Sequence, residues 1–225
     1  MNIYIVIGIS QGIGDILFRK LSKDNLCLGI TSKKEKFVNN DKVFKIDLEN
    51  QNNKENYQNI INYINKFKNI KLTILFNSTI YDSYNSYSNN KSTILNINYY
   101  NQIAFIDEIL NYIEYIQVKF VYFSSFEIFN KNSKIPYYKE SKELYLQNFL
   151  NREKNTKKIY KVFILGGIRT ESYLKNRKLT FIKKLITAKP NTASIYISKK
   201  ISTDKDEIIY YPKIYRYMMI IKSLF

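Results

Sequence analysis

Residues 3–19 read IYIVIGISQGIGDILFR, and this stretch decides the fold class. A β-branched apolar run at 3–7 leads into a turn with three of the chain's six glycines, and an amphipathic helix follows. Glycine lets the backbone turn tightly and approach a bound group, and the free N–H groups at a helix N-terminus attract phosphate. The stretch therefore predicts a strand, a phosphate-binding turn and a helix; the alternative is an ordinary tight turn with close helix packing.

The rest of the chain alternates short apolar runs with longer amphipathic stretches. Runs that are apolar on both faces, such as 72–76 (LTILF) and 119–123 (KFVYF), are typical of buried parallel strands. This alternation predicts an α/β fold, a three-layer Rossmann arrangement whose doubly wound parallel sheet has about seven strands and helices on both faces. The predicted strands are 2–7, 26–31, 42–46, 71–77, 117–124, 159–165 and 207–211, with helices near 12–22, 51–67, 91–114, 137–153 and 191–202.

The chain shows no internal repeat, and its low-complexity segment, 82–91 (DSYNSYSNNK), is predicted to be a loop after the fourth strand. We expect one dinucleotide-binding domain over residues 1–225. Residues 171–225 would supply the small substrate-side and C-terminal elements of that domain.

Composition excludes several kinds of site. The chain has no histidine and one cysteine, Cys27, so Ser-His-Asp and Cys-His catalysis, His-ligated metal sites and intrachain disulfides are impossible, and we expect no metal. The net charge of +17 first suggests nucleic acid or an acidic membrane. The lysines are scattered, however, and the abundant Lys, Asn, Ile, Tyr and Phe are residues that A/T-rich codons encode. We therefore expect no nucleic-acid partner.

The N-terminus and hydropathy predict a cytoplasmic protein. The chain enters an apolar run at once, without a basic leader or a cleavage site. No apolar stretch reaches the roughly 20 residues that a membrane-spanning helix needs.

One tyrosine–lysine pair stands in a distinctive context. Tyr138 and Lys142 form a Tyr-x3-Lys match, one helical turn apart, so both side chains can point the same way. The pattern alone is weak, because it recurs at Tyr87/Lys91, Tyr115/Lys119 and Tyr196/Lys200. Only Tyr138 has a serine, Ser125, placed 13 residues upstream at the end of a predicted buried strand.

The G-x3-G-x-G turn, this serine interval and the Tyr-x3-Lys pair together resemble the short-chain dehydrogenase/reductase family, in its compact single-domain branch. The resemblance implies an oxidoreductase that interconverts a carbonyl and a secondary alcohol by hydride transfer. Tyr138 would be the acid/base, and Lys142 would lower its pKa and hold the nicotinamide ribose. Ser125 would donate to the carbonyl oxygen. Asn98, in 94–100 (ILNINYY), would hold a water that relays protons through Lys142.

The resemblance also implies a dinucleotide cofactor. The second strand runs into Thr31, Ser32 and Lys33 with no carboxylate before Glu35, which favours NADP(H) over NAD(H), unless Lys33 is merely one more lysine. The expected cofactor-binding residues are Gly8, Ser10, Gln11, Gly12, Ile13, Gly14, Ser32, Lys33, Asp47, Asn77, Tyr138, Lys142, Ile168 and Thr170.

The sequence departs from the family pattern at three places. Ile7 stands where threonine is usual. Residues 77–80 (NSTI) stand where the family usually shows N-N-A-G, so Asn77 matches but the small Ala-Gly pair does not. Leu165 replaces the proline of a P-G-x-V-x-T segment. We therefore expect a differently shaped wall on the nicotinamide side.

The substrate side is less defined. Phe126, Phe129 and Tyr137 are candidates to line the substrate pocket; the alternative is that they are core residues. The substrate would be a small carbonyl or alcohol, with a sugar or lipid-linked sugar as one class. The basic-aromatic tail, 208–225, either contacts a membrane surface peripherally or packs against the sheet or a second subunit. The resemblance implies a homodimer or homotetramer paired through the helices near 91–114 and 137–153. A non-catalytic dinucleotide-binding or regulatory protein on the same fold is the alternative function.

Overall fold

The computed structural model describes residues 1–33, 37, 40–49, 54–80, 90–152, 156–176, 180, 184 and 186–217. Seven parallel strands form one sheet in the order β3-β2-β1-β4-β5-β6-β7. Their bounds are β1 Asn2–Ile7, β2 Leu26–Thr31, β3 Val43–Lys45, β4 Lys71–Phe76, β5 Gln117–Ser125, β6 Lys158–Leu165 and β7 Glu207–Tyr211. The predicted seven-stranded parallel sheet is confirmed.

Helices connect the strands. They are α1 Gly12–Leu21, α2 Lys54–Ile64, α3 Lys91–Leu95, α4 Asn101–Asn111, α5 Pro136–Leu150, α6 Glu171–Asn176 and α7 Pro190–Ile201. The single helix predicted over 91–114 is instead α3, a π-helical turn at Asn96–Tyr100 and α4. A short 3₁₀ helix, Phe126–Phe129, and α6 were not predicted.

The helices cover both faces of the sheet. On one face Ile3, Ile5 and Ile7 of β1 belong to a buried cluster that also contains side chains of α2, α4 and α5. On the other face Val6 belongs to a cluster with residues of α1 and α7. Alternate side chains of a strand point to opposite faces, so one apolar run fills both cores and creates the three layers.

Strand order reverses at β1, which lies between β2 and β4. Ile7 pairs with Ile30 on one side and with Phe76 on the other, so these three strands end at the same level. Ligands of doubly wound sheets bind in the crevice beyond such a reversal, at the carboxyl ends of the strands.

Two predicted segments extend beyond the described residues. Most of the predicted 82–91 loop lies outside them, and the structure resumes where the Asn90 side chain accepts a hydrogen bond from the Thr93 amide to cap α3. The end of the tail, residues 218–225, also lies outside. Among the described helices none is both long and apolar enough to cross a membrane.

Candidate active site

The glycine-rich turn follows β1 as predicted. Gly8 and Gly12 have φ angles of 87° and 69°, in the left-handed region that favours glycine. The Gly8 amide donates to the Ile30 carbonyl oxygen (2.8 Å), and Asn77 Nδ2 donates to the Gly8 carbonyl oxygen (3.0 Å). The turn is therefore fixed between β2 and β4, with the N-terminus of α1 directly behind it.

A cavity of about 650 Å³ lies over the carboxyl ends of the strands. Its lining combines the glycine-rich turn and Asn77 with residues of β5, α5 and the segment after β6. Of the residues expected to bind cofactor or substrate, it is lined by Gly8, Ser10, Gln11, Gly12, Ile13, Asn77, Ser125, Phe126, Tyr138, Lys142, Ile168 and Thr170.

Ser125, Tyr138 and Lys142 meet in this cavity from different elements. Ser125 ends β5, where its Oγ accepts a hydrogen bond from the Glu127 amide (3.2 Å). Tyr138 and Lys142 lie one turn apart on α5, and the Lys142 Nζ is 5.6 Å from the centre of the Tyr138 ring. All three residues line the same cavity, as the sequence spacing led us to expect, and their catalytic roles stay predictions.

The other Tyr-x3-Lys matches have different environments. Lys119 pairs with Asp204 (2.7 Å) and Lys200 with Glu207 (3.1 Å), and neither lysine lines the cavity. Tyr87 lies outside the described residues, while its partner Lys91 pairs with Glu140 (2.9 Å). Among the matches that the structure describes in full, Tyr138 and Lys142 are thus the one pair that both lines the cavity and follows a strand-end serine.

Comparison with known proteins finds matches among solved structures only. The sequence matches no protein-family model and no curated protein. The structure matches a short chain dehydrogenase family protein from Francisella tularensis (TM-score 0.66, 18% identity, 94% of this chain and 97% of that one). It also matches a short chain dehydrogenase from Burkholderia cenocepacia in complex with NADP (TM-score 0.70, 14% identity, 97% and 91%). A third match is the angucycline C-6 ketoreductase LanV with bound NADP (TM-score 0.71, 12% identity, 93% of both chains).

The chain has the short-chain dehydrogenase fold. At these identities the likeness concerns the fold, so the roles of individual residues must be argued from the geometry around them.

The pKa of Lys142 is strongly shifted in this site. Its side chain is buried, and burial lowers its pKa from 10.5 to about 7. The Ser124 hydroxyl donates to the Lys142 backbone carbonyl (2.8 Å) and ties α5 to β5. The rings of Tyr138 and Tyr145 flank the ammonium, with centres 5.6 and 5.3 Å from Nζ.

Asn98 lies in the middle of the π-helical turn and is fully buried. Its Oδ1 accepts from the Ile80 amide (2.7 Å), and its Nδ2 donates to the Ile80 carbonyl (2.9 Å) and to Ser141 Oγ (3.2 Å). Its backbone carbonyl accepts from the Tyr145 hydroxyl (2.7 Å). The side-chain amide therefore fastens the segment after β4 to α5, and the water-holding role of Asn98 stays a prediction.

Ser32, Lys33 and Asp47 lie at the same sheet edge but outside the lining of the cavity. All three are exposed, and Thr31 Oγ1 accepts a hydrogen bond from the Lys33 amide (3.0 Å). The Ile46 amide donates to the Thr31 carbonyl (2.9 Å), which brings Asp47 beside the end of β2. Gly14 likewise does not line the cavity, because it is buried behind the turn against Asn77.

The substrate side differs most from expectation. Phe126 lines the cavity, whereas Phe129, which packs against the Phe126 ring (5.3 Å between centres), and Tyr137 do not. Tyr215, from the tail, is buried against Gly166, with its ring centre 4.4 Å from that of Phe126. No sequence signal placed Tyr215 here, because its position depends on where the tail turns after β7. Glu127, Ile135 and Tyr173 also line the cavity without having been predicted.

Metal and thiol chemistry find no support in this site. Across the described residues no group of three or more His, Cys, Asp or Glu side chains is placed to hold a metal ion. Cys27 is buried in β2, where burial raises its pKa to about 12. Such a thiol stays protonated at neutral pH and is not a nucleophile.

Proposed function

We propose that this protein is a member of the short-chain dehydrogenase/reductase family, an NADP(H)-dependent oxidoreductase that interconverts a carbonyl and a secondary alcohol. The observation that carries the proposal is the single cavity shared by the glycine-rich turn and by Ser125, Tyr138 and Lys142. A phosphate-binding turn and an acid/base group are both needed for this reaction, and this cavity supplies the two together.

The residues present fit a dinucleotide. The left-handed Gly12 and the N-terminus of α1 offer backbone N–H groups to a pyrophosphate. Ile168 and Thr170 also line the cavity, and Thr170 Cγ2 would lie 3.8 Å from a Cβ atom at position 12. Asn77 bounds the same end, and Ser32, Lys33 and Asp47 would lie towards the adenosine. When bound, the cofactor would supply or accept the hydride.

The side chains of this protein would handle the carbonyl oxygen and its proton. Ser125 Oγ would donate a hydrogen bond to the oxygen, which stabilises its developing negative charge. Tyr138 would give the proton to that oxygen in reduction and take it back in oxidation. A tyrosine pKa is ordinarily near 10, and a neighbouring charged lysine favours the phenolate form, which is the role that we propose for Lys142.

Two features support NADP(H) in particular. The Burkholderia protein and LanV are described with NADP bound. In this chain a hydroxyl and a lysine, Ser32 and Lys33, follow β2 where a carboxylate would select NAD.

The setting of the enzyme is also part of the proposal. We propose a cytoplasmic protein of one domain, 1–225, assembled as a homodimer or homotetramer through α4 and α5. Its substrate would be a small carbonyl or alcohol that enters beside Phe126 and Tyr215. The inward packing of Tyr215 supports a tail that packs against the sheet over one that contacts a membrane.

The decisive test is Tyr138→Phe, which removes only the hydroxyl. We expect NADPH-dependent reduction of a carbonyl panel, followed by NADPH absorbance, to fall by at least about 100-fold, since acid/base catalysis typically contributes that much. NADPH affinity, followed by its fluorescence, should change little.

Tyr137→Phe is the matched control, because this neighbouring tyrosine does not line the cavity. Wild-type turnover in Tyr138→Phe would overturn the proposed mechanism. Tight NADPH binding with no turnover of any carbonyl would instead favour the non-catalytic alternative.

A further inference from the structure

Tyr145 lies directly beneath Lys142 on the next turn of α5. It is fully buried, and its ring centre is 5.3 Å from the Lys142 Nζ. Its hydroxyl donates to the backbone carbonyl of Asn98 (2.7 Å). One side chain thus contacts both the lysine of the site and the π-helical turn.

The surroundings of Lys142 make its contact with the Tyr145 ring important. In the described part of the chain no carboxylate forms an ion pair with Lys142, and burial removes most of its water. Aromatic ring faces attract a cation, the more strongly when the cation is desolvated. The Tyr138 and Tyr145 rings are the two ring faces beside the ammonium.

We propose that Tyr145 is a positioning residue for Lys142: the Tyr145 ring face stabilises the charged form of the lysine, and the Tyr145 hydroxyl holds the Asn98 carbonyl. The inference rests on the proposed function in one respect, namely that the charge of Lys142 serves catalysis.

The groups around the pair are compatible with this role. Ser124 on β5 and Ser141 on α5 are neutral, and Tyr99 and Tyr122 lie close to the Tyr145 ring at 5.0 Å. Burial raises the pKa of the Tyr145 phenol well above its usual 10, with Tyr99 adding to the shift. The phenol therefore stays neutral and its donor intact at working pH. Glu127, the carboxylate that lines the same cavity, accepts from Asn130 Nδ2 (2.8 Å).

The test replaces Tyr145 by phenylalanine and then by increasingly fluorinated phenylalanines. Fluorination keeps the ring shape but removes the negative electrostatic potential of the ring face. The readout is the ¹³Cε NMR titration of Lys142, assigned by its loss in Lys142→Met. The pKa of Lys142 is about 7 in the wild type, and we expect Tyr145→Phe to leave this titration midpoint unchanged. Full fluorination should lower it by about one pH unit, a tenfold loss of charged lysine at alkaline pH.

The hydroxyl is tested separately in Tyr145→Phe. Amide hydrogen exchange across the π-helical turn, Asn96–Tyr100, should become faster, because the Asn98 carbonyl loses its donor. Unchanged exchange would overturn the role of the hydroxyl.

The same fluorinated series at Phe105 is the control, because this buried ring lies in the same core on α4. A Lys142 midpoint that stays constant through the Tyr145 series, or that moves equally with Phe105, would overturn the proposal. The titration needs no substrate, so it remains decisive even if no carbonyl is ever turned over. With an active enzyme, the alkaline limb of kcat/KM should move in parallel.

Discussion

Lys142 is a charged residue placed where charge is unfavourable. Its pKa of about 7 means that the folded protein releases its proton far more readily than the unfolded chain, whose lysine retains the ordinary 10.5. Between these two values the unfolded state binds more protons, so the free energy of unfolding should rise with pH over that window. Below about pH 7 the lysine is charged in both states and the full penalty of burial remains.

Replacing Lys142 by methionine should therefore stabilise the fold while abolishing activity. We expect the free energy of unfolding near pH 7, from urea titration, to rise by roughly 1–4 kcal/mol, because buried charges are often less stable than apolar groups of similar size. The gain should shrink as the pH rises towards 10.5. Lys131→Met, at an exposed turn position, is the control that should change neither quantity. A Lys142→Met variant less stable than wild type near pH 7 would contradict this account.

Two more lysines show what residue-level patterns miss. Lys119 and Lys161 lie on central strands that the apolar pattern predicted to be buried, and both are buried. Lys119 reaches the Ile201 carbonyl and Asp204, and Lys161 reaches Thr203 (2.9 Å). These partners lie more than 40 residues away, at the end of α7 and in the segment between α7 and β7. Strand position follows from neighbouring residues, whereas such partners follow only from the packing of distant segments.

The π-helical turn shows the same limit for an element. Periodicity predicted one helix over 91–114, and α3 and α4 do occupy that stretch. The extra residue that widens the turn is held by the bonds of Asn98 to Ile80 and Ser141, 18 and 43 residues away. The helical periodicity of the sequence does not depend on these contacts, so the π-helical turn was not predicted. Such π turns are frequent at functional sites.

The end of β6 and the tail are coupled through one glycine. A Cβ atom at Gly166 would lie 1.9 Å from Cε2 of the Tyr215 ring. Gly166→Ala should therefore force the ring out of the cavity wall and lower the free energy of unfolding by about 1–3 kcal/mol, as overpacking does. Urea unfolding of Gly166→Ala, Tyr215→Ala and the double variant measures this coupling.

In the Tyr215→Ala background most of the cost of Gly166→Ala should disappear, a coupling of about 0.5–3 kcal/mol. Gly29→Ala is the control, because its Cβ would meet Ile9 and Phe18 and its cost should persist without Tyr215. Additive effects of Gly166→Ala and Tyr215→Ala would show that Tyr215 does not rest on Gly166.

At the scale of the whole molecule, cofactor binding and folding are linked. The proposed site draws on the turn after β1 and on segments after β4, β5 and β6, so a bound dinucleotide stabilises the folded state against the unfolded chain. NADPH at about 100 times its Kd contributes about 2.7 kcal/mol. For a chain of this size, the melting temperature should rise by roughly 5–10 °C.

NADH at the same concentration should raise the melting temperature less, and Lys33→Ala should reduce the difference between the two cofactors. Lys23→Ala, an exposed lysine just after α1, should leave the difference unchanged. Equal shifts with NADPH and NADH in the wild type would remove the proposed preference for NADP(H).

The sequence by itself determined the parallel sheet, the strand bounds to within one or two residues, and the glycine-rich turn, because these depend on side chains close together in the chain. It also predicted that Ser125, Tyr138 and Lys142 would meet, since strand-end and helix-face positions are local properties. Only the tertiary structure decided that Tyr145 supports Lys142, that Asn98 fastens Ile80, and that Tyr215 closes the cavity wall. Those contacts join residues that are remote in the chain or depend on how a whole helix is rotated, and local patterns do not encode such distances.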